Sequence, residues 1–473
     1  MTMGCSKKTA DASNLVKILL GMVVLSVAGG LSTRSIAQSP HPDVDVASEL
    51  ADLQSQIDAL RHSAQAISSE DAAVFESTEP EHTIVICEPQ ETKPSFPNVR
   101  LTGFFQADAA WFGQDANNIA TVGDVQDGAD FRRARLAAVG KAWDNVGYQL
   151  EMDFAFPGRP SFMDVWLSLD DIVGNNDLRI GQFRQPMGME GLTSVKELTF
   201  IERSLPFAFL PFRQIGAMLH GNSDDELMTW AFSGYRFPTD TFGGNVGDNG
   251  GYGMSSRVTA LLMDRGNGDG ILHVGGAYSF IDPANDMFQY RNQPEIFVSE
   301  TGGGVPAGVP PTVPAFVDTG LIMAKNSNLF GAEIAMAKGS FYAQSEALYA
   351  AVDQTNGPTV FFPGAYMYAG YFLTGEQRQY NRSGAVFSRV DPNCNVGKDG
   401  GIGAWEIATR YSYLDLSDKN IQGGRLNNLT LGLNWYLNPH TKFQWNYIHA
   451  MLDSPGNIES NADVFALRAQ VDF

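Results

Sequence analysis

The chain of 473 residues is 44% hydrophobic and 18% charged, and its 32 Lys plus Arg stand against 53 Asp plus Glu, a net charge of −21. That balance excludes a nucleic-acid partner, which requires a basic face, and the 3 cysteines cannot build a disulfide framework. No set of apolar runs about 20 residues long marks a helical membrane bundle, and 11% aromatics is too many for a disordered chain.

Residues 1–37 read as a secretory signal. Lys7, Lys8 and Lys17 supply the positive start, Ile18 to Gly30 a short apolar run, and Ser35-Ile36-Ala37 a small-residue cleavage pattern. Export is therefore expected, and losing this segment takes the mature chain from −21 to −24, because it carries four basic residues and one acidic one. Cys5 falls before the apolar run, which disfavours a lipid anchor. Cys87 and Cys394 are far apart in sequence, and two unpaired thiols is the expected state.

Within 38–75, Val46, Leu50, Leu53, Ile57, Leu60, Ala64 and Ile67 recur at alternating steps of four and three. This heptad seam predicts a short coiled coil that serves self-association, too short to hold an oligomer alone. Residues 76–97 follow as a Pro-rich linker, with Glu79-Pro80-Glu81, Glu88-Pro89, Lys93-Pro94 and Phe96-Pro97 interrupting any regular element.

From 98 to 473 the texture alternates. In Val146-Gly147-Tyr148-Gln149-Leu150-Glu151-Met152-Asp153-Phe154 every even position is large and apolar and every odd one is Gly or polar. The same period of two runs through 165–170, 405–413, 429–435 and 465–473, predicting strands with one apolar and one polar face. Charges recur on the polar face, aromatic residues gather near strand ends (Trp143, Tyr148, Trp435, Tyr436, Trp445, Tyr447), and the last strand ends on Phe473. Tight turns at 143–145 and 437–440 contrast with long Gly/Pro-rich stretches at 237–254, 300–316 and 353–364. These are the habits of a transmembrane antiparallel β-barrel, of about 16 strands at roughly 23 residues per strand and connection. The expected fold is thus all-β, a barrel over 98–473 preceded by the coiled coil.

Six blocks make the reading more specific. Phe131-Arg132-Arg133-Ala134-Arg135-Leu136 is followed by Tyr148 to Ala155, then by Leu178-Arg179-Ile180-Gly181-Gln182-Phe183-Arg184-Gln185-Pro186 and Leu198-Thr199-Phe200-Ile201-Glu202-Arg203-Ser204-Leu205-Pro206. Gly370 to Glu376 and Thr430 to Pro439 complete the set. In this order they resemble the phosphate-selective porin O and P family of bacterial outer membranes, and a coiled coil before the barrel is similar to that of dicarboxylate-type porins. The resemblance implies a homotrimer of 16-stranded barrels in the outer-membrane lipid, each with its own aqueous pore, some members attracting phosphate or similar anions through pore-lining Arg and Lys.

The residues themselves support candidates for that lining. Arg133, Arg135 and Lys141 share parity on one strand, opposite Ala134, Leu136 and Ala138. A basic residue facing lipid at midplane costs roughly 2–4 kcal/mol, so these should face the lumen, where Arg binds oxyanions bidentately. Arg184 follows a strand, while Arg203 and Arg213 flank the Phe/Pro-rich 204–212, a candidate inward constriction loop. Ion pairing with Glu151, Asp153, Asp164 and Glu202 is the competing role for each of them. The barrel carries 26 basic and 40 acidic residues, a net of −14, which keeps a general or cation-preferring porin as an alternative. Its seven Lys are scattered, so a broad preference for small anions such as carboxylates fits as well as phosphate. A tether built on the coiled coil is a further alternative. No catalytic constellation surrounds the barrel's four His, His449 reads as an interfacial side chain, and the Gly-rich 264–270 is a tight turn rather than a calcium loop. No cofactor is expected.

Overall fold

The structure, a computed structural model, describes residues 95–155, 160–240, 242, 251–264, 270–298, 313–397, 400–456 and 458–473. The chain divides into two units, Met1–Lys93 and Pro94–Phe473, and the described residues all belong to the second. The signal, the coiled coil and the linker up to residue 94 therefore lie outside them, as do Cys87, half of 237–254, most of 300–316, and residues 265–269.

Sixteen strands form one closed antiparallel wall: β1 Arg100–Gln114, β2 Gly128–Trp143, β3 Val146–Asp153, β4 Ser161–Leu169, β5 Asn176–Arg184, β6 Arg213–Asn222, β7 Met228–Arg236 and β8 Tyr252–Asp264. The second half comprises β9 Ile271–Asp282, β10 Ile322–Lys338, β11 Phe341–Gln354, β12 Val360–Phe372, β13 Ala404–Asp418, β14 Ile421–Asn438, β15 Thr441–Ser454 and β16 Ile458–Asp472. Each pairs with its sequence neighbour, and β1 pairs with β16 from Phe104↔Asp472 to Gln114↔Ala462, which leaves no open edge. At the end of this seam Gly103 and Phe473 exchange two backbone hydrogen bonds of 3.0 Å. A Cβ on Gly103 would come 2.8 Å from the Phe473 ring, so the missing side chain there admits the aromatic terminus.

The period of two sorts side chains as the sequence predicts. Across β13, β14, β15 and β16 the row Ile407, Leu433, Trp445 and Leu467 faces outward. One residue away, the row Glu406, Asn434, Gln444 and Arg468 faces inward and is buried. Shifting either row by one would put charges against acyl chains. An aromatic girdle runs along the outside, with Trp405 stacked on Trp435 at 5.1 Å and Trp435 on Phe443 at 6.0 Å.

The connections depart from the expected division in two places. The stretch 353–364 is no long loop: only 355–359 lie between strands, and Pro363 and Gly364 sit inside β12. At the end of the barrel where 144–145, 339–340 and 439–440 form tight turns, the connection 373–403 is long. It folds into the lumen: Arg378 donates to the Glu197 carbonyl, Arg389 to the Asp472 carboxylate, and Arg257 of the wall to the Ala385 carbonyl at 2.8 Å. Phe387 and Val390 are buried with Met189, Phe200 and Tyr342. Within this connection Cys394 is disulfide-bonded, which corrects the expectation of two unpaired thiols.

Candidate functional site

The lumen is divided by the connection between β5 and β6, residues 185–212, which turns inward as 204–212 suggested. Its short 3-10 helix Leu205–Phe209 carries Pro in the first turn and buries Leu205, Pro206 and Phe209. Phe209 packs edge-on against Tyr290 at 4.9 Å and against the wall at Gly364, where a Cβ would approach its ring to 2.9 Å. Glycine is what lets loop and wall meet there.

Polar groups form three clusters in the lumen, of which the first and third lock this loop to the wall and the second joins wall strands to one another. In the first, Glu202 accepts from Arg133 at 2.8 and 3.1 Å, from Arg132 at 3.0 Å and from Arg468 at 2.9 Å. Arg132 is drawn in by a bulge, since Gln106 pairs with Arg133 but Ala107 with Phe131. In the second, Arg135 donates to Asp153 at 2.7 Å, and Arg213 holds Asp164 through two bonds of 3.0 Å. Glu151 stands 3.9 Å from both guanidinium groups. In the third, the fully buried Arg410 meets Glu295 at 2.6 Å and Glu190 at 3.5 Å.

Glu190 and Glu202 belong to the infolded loop, outside the spanning strands, and their environments differ. Burial pushes the Glu190 carboxyl up, against the pull of Arg410. Burial acts the same way on Glu202, but Arg133, Arg132 and Arg468 outweigh it and hold that carboxyl well below the ordinary glutamate value.

Not every predicted cation shares one role. Arg133, Arg135 and Arg213 face inward as parity requires, and each is engaged by carboxylates. Arg203 makes no ion pair among the described residues: it donates to the Glu190 and Thr193 carbonyls at 2.8 and 2.7 Å and lies over Phe207 and Phe212, so it orders the loop. Lys141 stays outside the lumen proper. It is exposed at the rim, bonded to the Asp144 carbonyl at 2.7 Å and 3.2 Å from Asp170, because the strand has by then reached its turn.

Arg184 differs from the rest. Its guanidinium is held by the Leu192 and Thr193 carbonyls at 2.7 and 2.9 Å, and its nearest carboxylate oxygen, on Asp164, is 4.0 Å away and already bound by Arg213. Two cavities, of about 630 and 490 Å³, meet at this point, and Gln149, Asp164, Arg184 and Ser194 border both. Arg179 and Arg257 also border the larger cavity, and Arg100, Arg135, Lys196 and Arg389 the smaller. Sequence reasoning did not single out Arg179, Arg257, Arg410 or Arg468. The last two occupy polar positions of strands whose alternation was plain, so parity alone was signal enough to place them inward.

A closed barrel with a greasy outer wall, an aromatic girdle and an ionised, partly hollow interior defines an outer-membrane porin. The family model for phosphate-selective porin O and P matches residues 99–473. The chain belongs to that family, and its place is the bacterial outer membrane. It is 28% identical to Porin O of Pseudomonas aeruginosa over 79% of this chain and 88% of that one, and 25% identical to a protein of Caulobacter vibrioides over 99% of each. Among solved structures it is similar to OmpT of Vibrio cholerae (TM-score 0.48, 10% identity, 80% of this chain and 99% of that one). It is likewise similar to an anion-selective porin from Comamonas acidovorans (TM-score 0.48, 13% identity, 79% and 99%).

Proposed function

We propose that this porin is a passive diffusion channel for small anions, acting as a homotrimer to which the heptad seam of 38–75 contributes. The observation that carries the anion preference is Arg184. At the junction of the two cavities its one ion pair among the described residues is a long one, 4.0 Å to Asp164, whose carboxylate Arg213 already holds, so the charge of the guanidinium is only partly compensated where solute passes. A low-dielectric wall strengthens that field where the passage narrows. The family description and the relationship to Porin O support oxyanions as solutes. The −14 of the barrel argues the other way, but screening confines the field of distant loop carboxylates to about 8–10 Å.

The reversal potential of single channels in a potassium chloride gradient tests this reading. An anion-selective sign is expected, moving toward zero in Arg184→Ala. A cation-selective sign in the unaltered protein overturns it in favour of the cation-preferring alternative.

A further inference from the structure

The larger cavity offers more than cations. Trp166 on β4 gives it an indole surface, whereas Trp230 on β7 takes the outward parity of Met228 and Phe232 and pairs with the exposed Val258. Arg179 on β5 sets its guanidinium carbon 4.4 Å from the Trp166 ring centroid and makes no ion pair within 4 Å among the described residues. Its Nε is buried with no hydrogen-bond partner. On the adjoining strand His220, register partner of Asp177, buries an Nε2 that likewise has none. Two nitrogens of one cavity wall are thus left unsatisfied beside an aromatic surface. Buried polar groups in this state are uncommon, and where they border a cavity they offer hydrogen-bonding capacity to whatever occupies it.

We infer that this cavity is a binding site for aromatic monocarboxylates, an aryl ring bearing one carboxylate, which engages Arg179 while the ring lies against Trp166. The inference rests on the anion-channel reading and narrows it. Charge decides against a multiply charged oxyanion here. Asp164, Asp177 and Glu197 border the same cavity as Arg179, Arg184 and Arg257, so the wall is close to neutral and a second negative charge on the solute gains nothing. A phosphate would also leave the indole unused, whereas an aryl ring meets it through an offset or edge contact. A volume of about 630 Å³ lies within the range of small-molecule sites.

The test uses the full-length protein in planar bilayers at neutral pH, with benzoate, acetate and inorganic phosphate each added to a chloride solution. The readout is the concentration that halves chloride conductance. Benzoate is expected to do so at a concentration at least about fivefold below acetate, the worth of one good aromatic contact, and below phosphate too. In Trp166→Leu the benzoate-to-acetate ratio should fall to within about twofold, while Trp166→Phe, which keeps an aromatic face, should retain most of it. Equal half-blocking by benzoate and acetate, tighter blocking by phosphate, or an unmoved ratio in Trp166→Leu would overturn the inference. Reversal potentials recorded in the same membranes separate the two readings. A cation-selective channel defeats both, and an anion-selective channel indifferent to the ring defeats this one alone.

Discussion

Asp108 on the first strand and Arg468 on the last face each other across the seam that closes the barrel, joined by two hydrogen bonds of 2.7 Å. Both side chains are fully buried. Truncating one partner leaves an uncompensated charge, at a cost of about 3–5 kcal/mol, and the lower end applies because Glu202 still reaches Arg468. Asp108→Ala should therefore lower the urea midpoint of unfolding in detergent by about 3 kcal/mol of stability, and an unchanged midpoint would contradict a closure built on this pair.

Arg213 governs the sign of the field near Arg184. It is the group that neutralises Asp164 bidentately, so Arg213→Gln both removes a cation and releases a carboxylate beside the passage. The reversal potential should shift toward cations by more than in Arg184→Ala, which removes a cation alone. A smaller shift would mean that Asp164 does not face the conducting path.

Phe209 anchors the infolded loop. Its buried ring sits against Tyr290 and Gly364, and truncating a buried Phe costs about 3–5 kcal/mol. Because that cost falls on the loop rather than on the wall, Phe209→Ala should yield a barrel of raised and noisier single-channel conductance. Conductance indistinguishable from that of the unaltered protein would show that the loop does not limit flow.

Glu202 supplies a pH signature. Its carboxyl is depressed in the folded protein despite burial, through Arg133, Arg132 and Arg468. Its contribution to stability is therefore complete above the ordinary glutamate value of about 4.3 and is lost as pH falls below it through the depressed folded value. The gap in unfolding midpoint between the unaltered protein and Glu202→Gln should be full at neutral pH and shrink below about pH 4. A gap independent of pH would place its origin in packing rather than charge.

What the sequence determined by itself was the wall. A period of two is local, so Val146 to Asp153 or Trp405 to Tyr413 declares which side chains meet lipid and which meet water without knowing what lies across the sheet. The Arg133 and Arg135 orientations followed from that alone, while the number of strands came from the length of the barrel segment at roughly 23 residues per strand and connection. Which charges remain free was decided only in the tertiary structure. Arg468 finds Asp108 because the chain closes on itself, and Arg133 finds Glu202 because 185–212 folds inward. Lys141 leaves the lumen because its strand ends there. The inward course of 373–403 has no periodic signal at all, since it is held by single contacts such as Arg257 to the Ala385 carbonyl. Parity along a strand survives in one dimension. Pairing between guanidinium and carboxylate groups depends on closure and loop packing, which bring together residues far apart in sequence, and that is why the sparse pairing of Arg179 and Arg184 emerged only once every other partner had been placed.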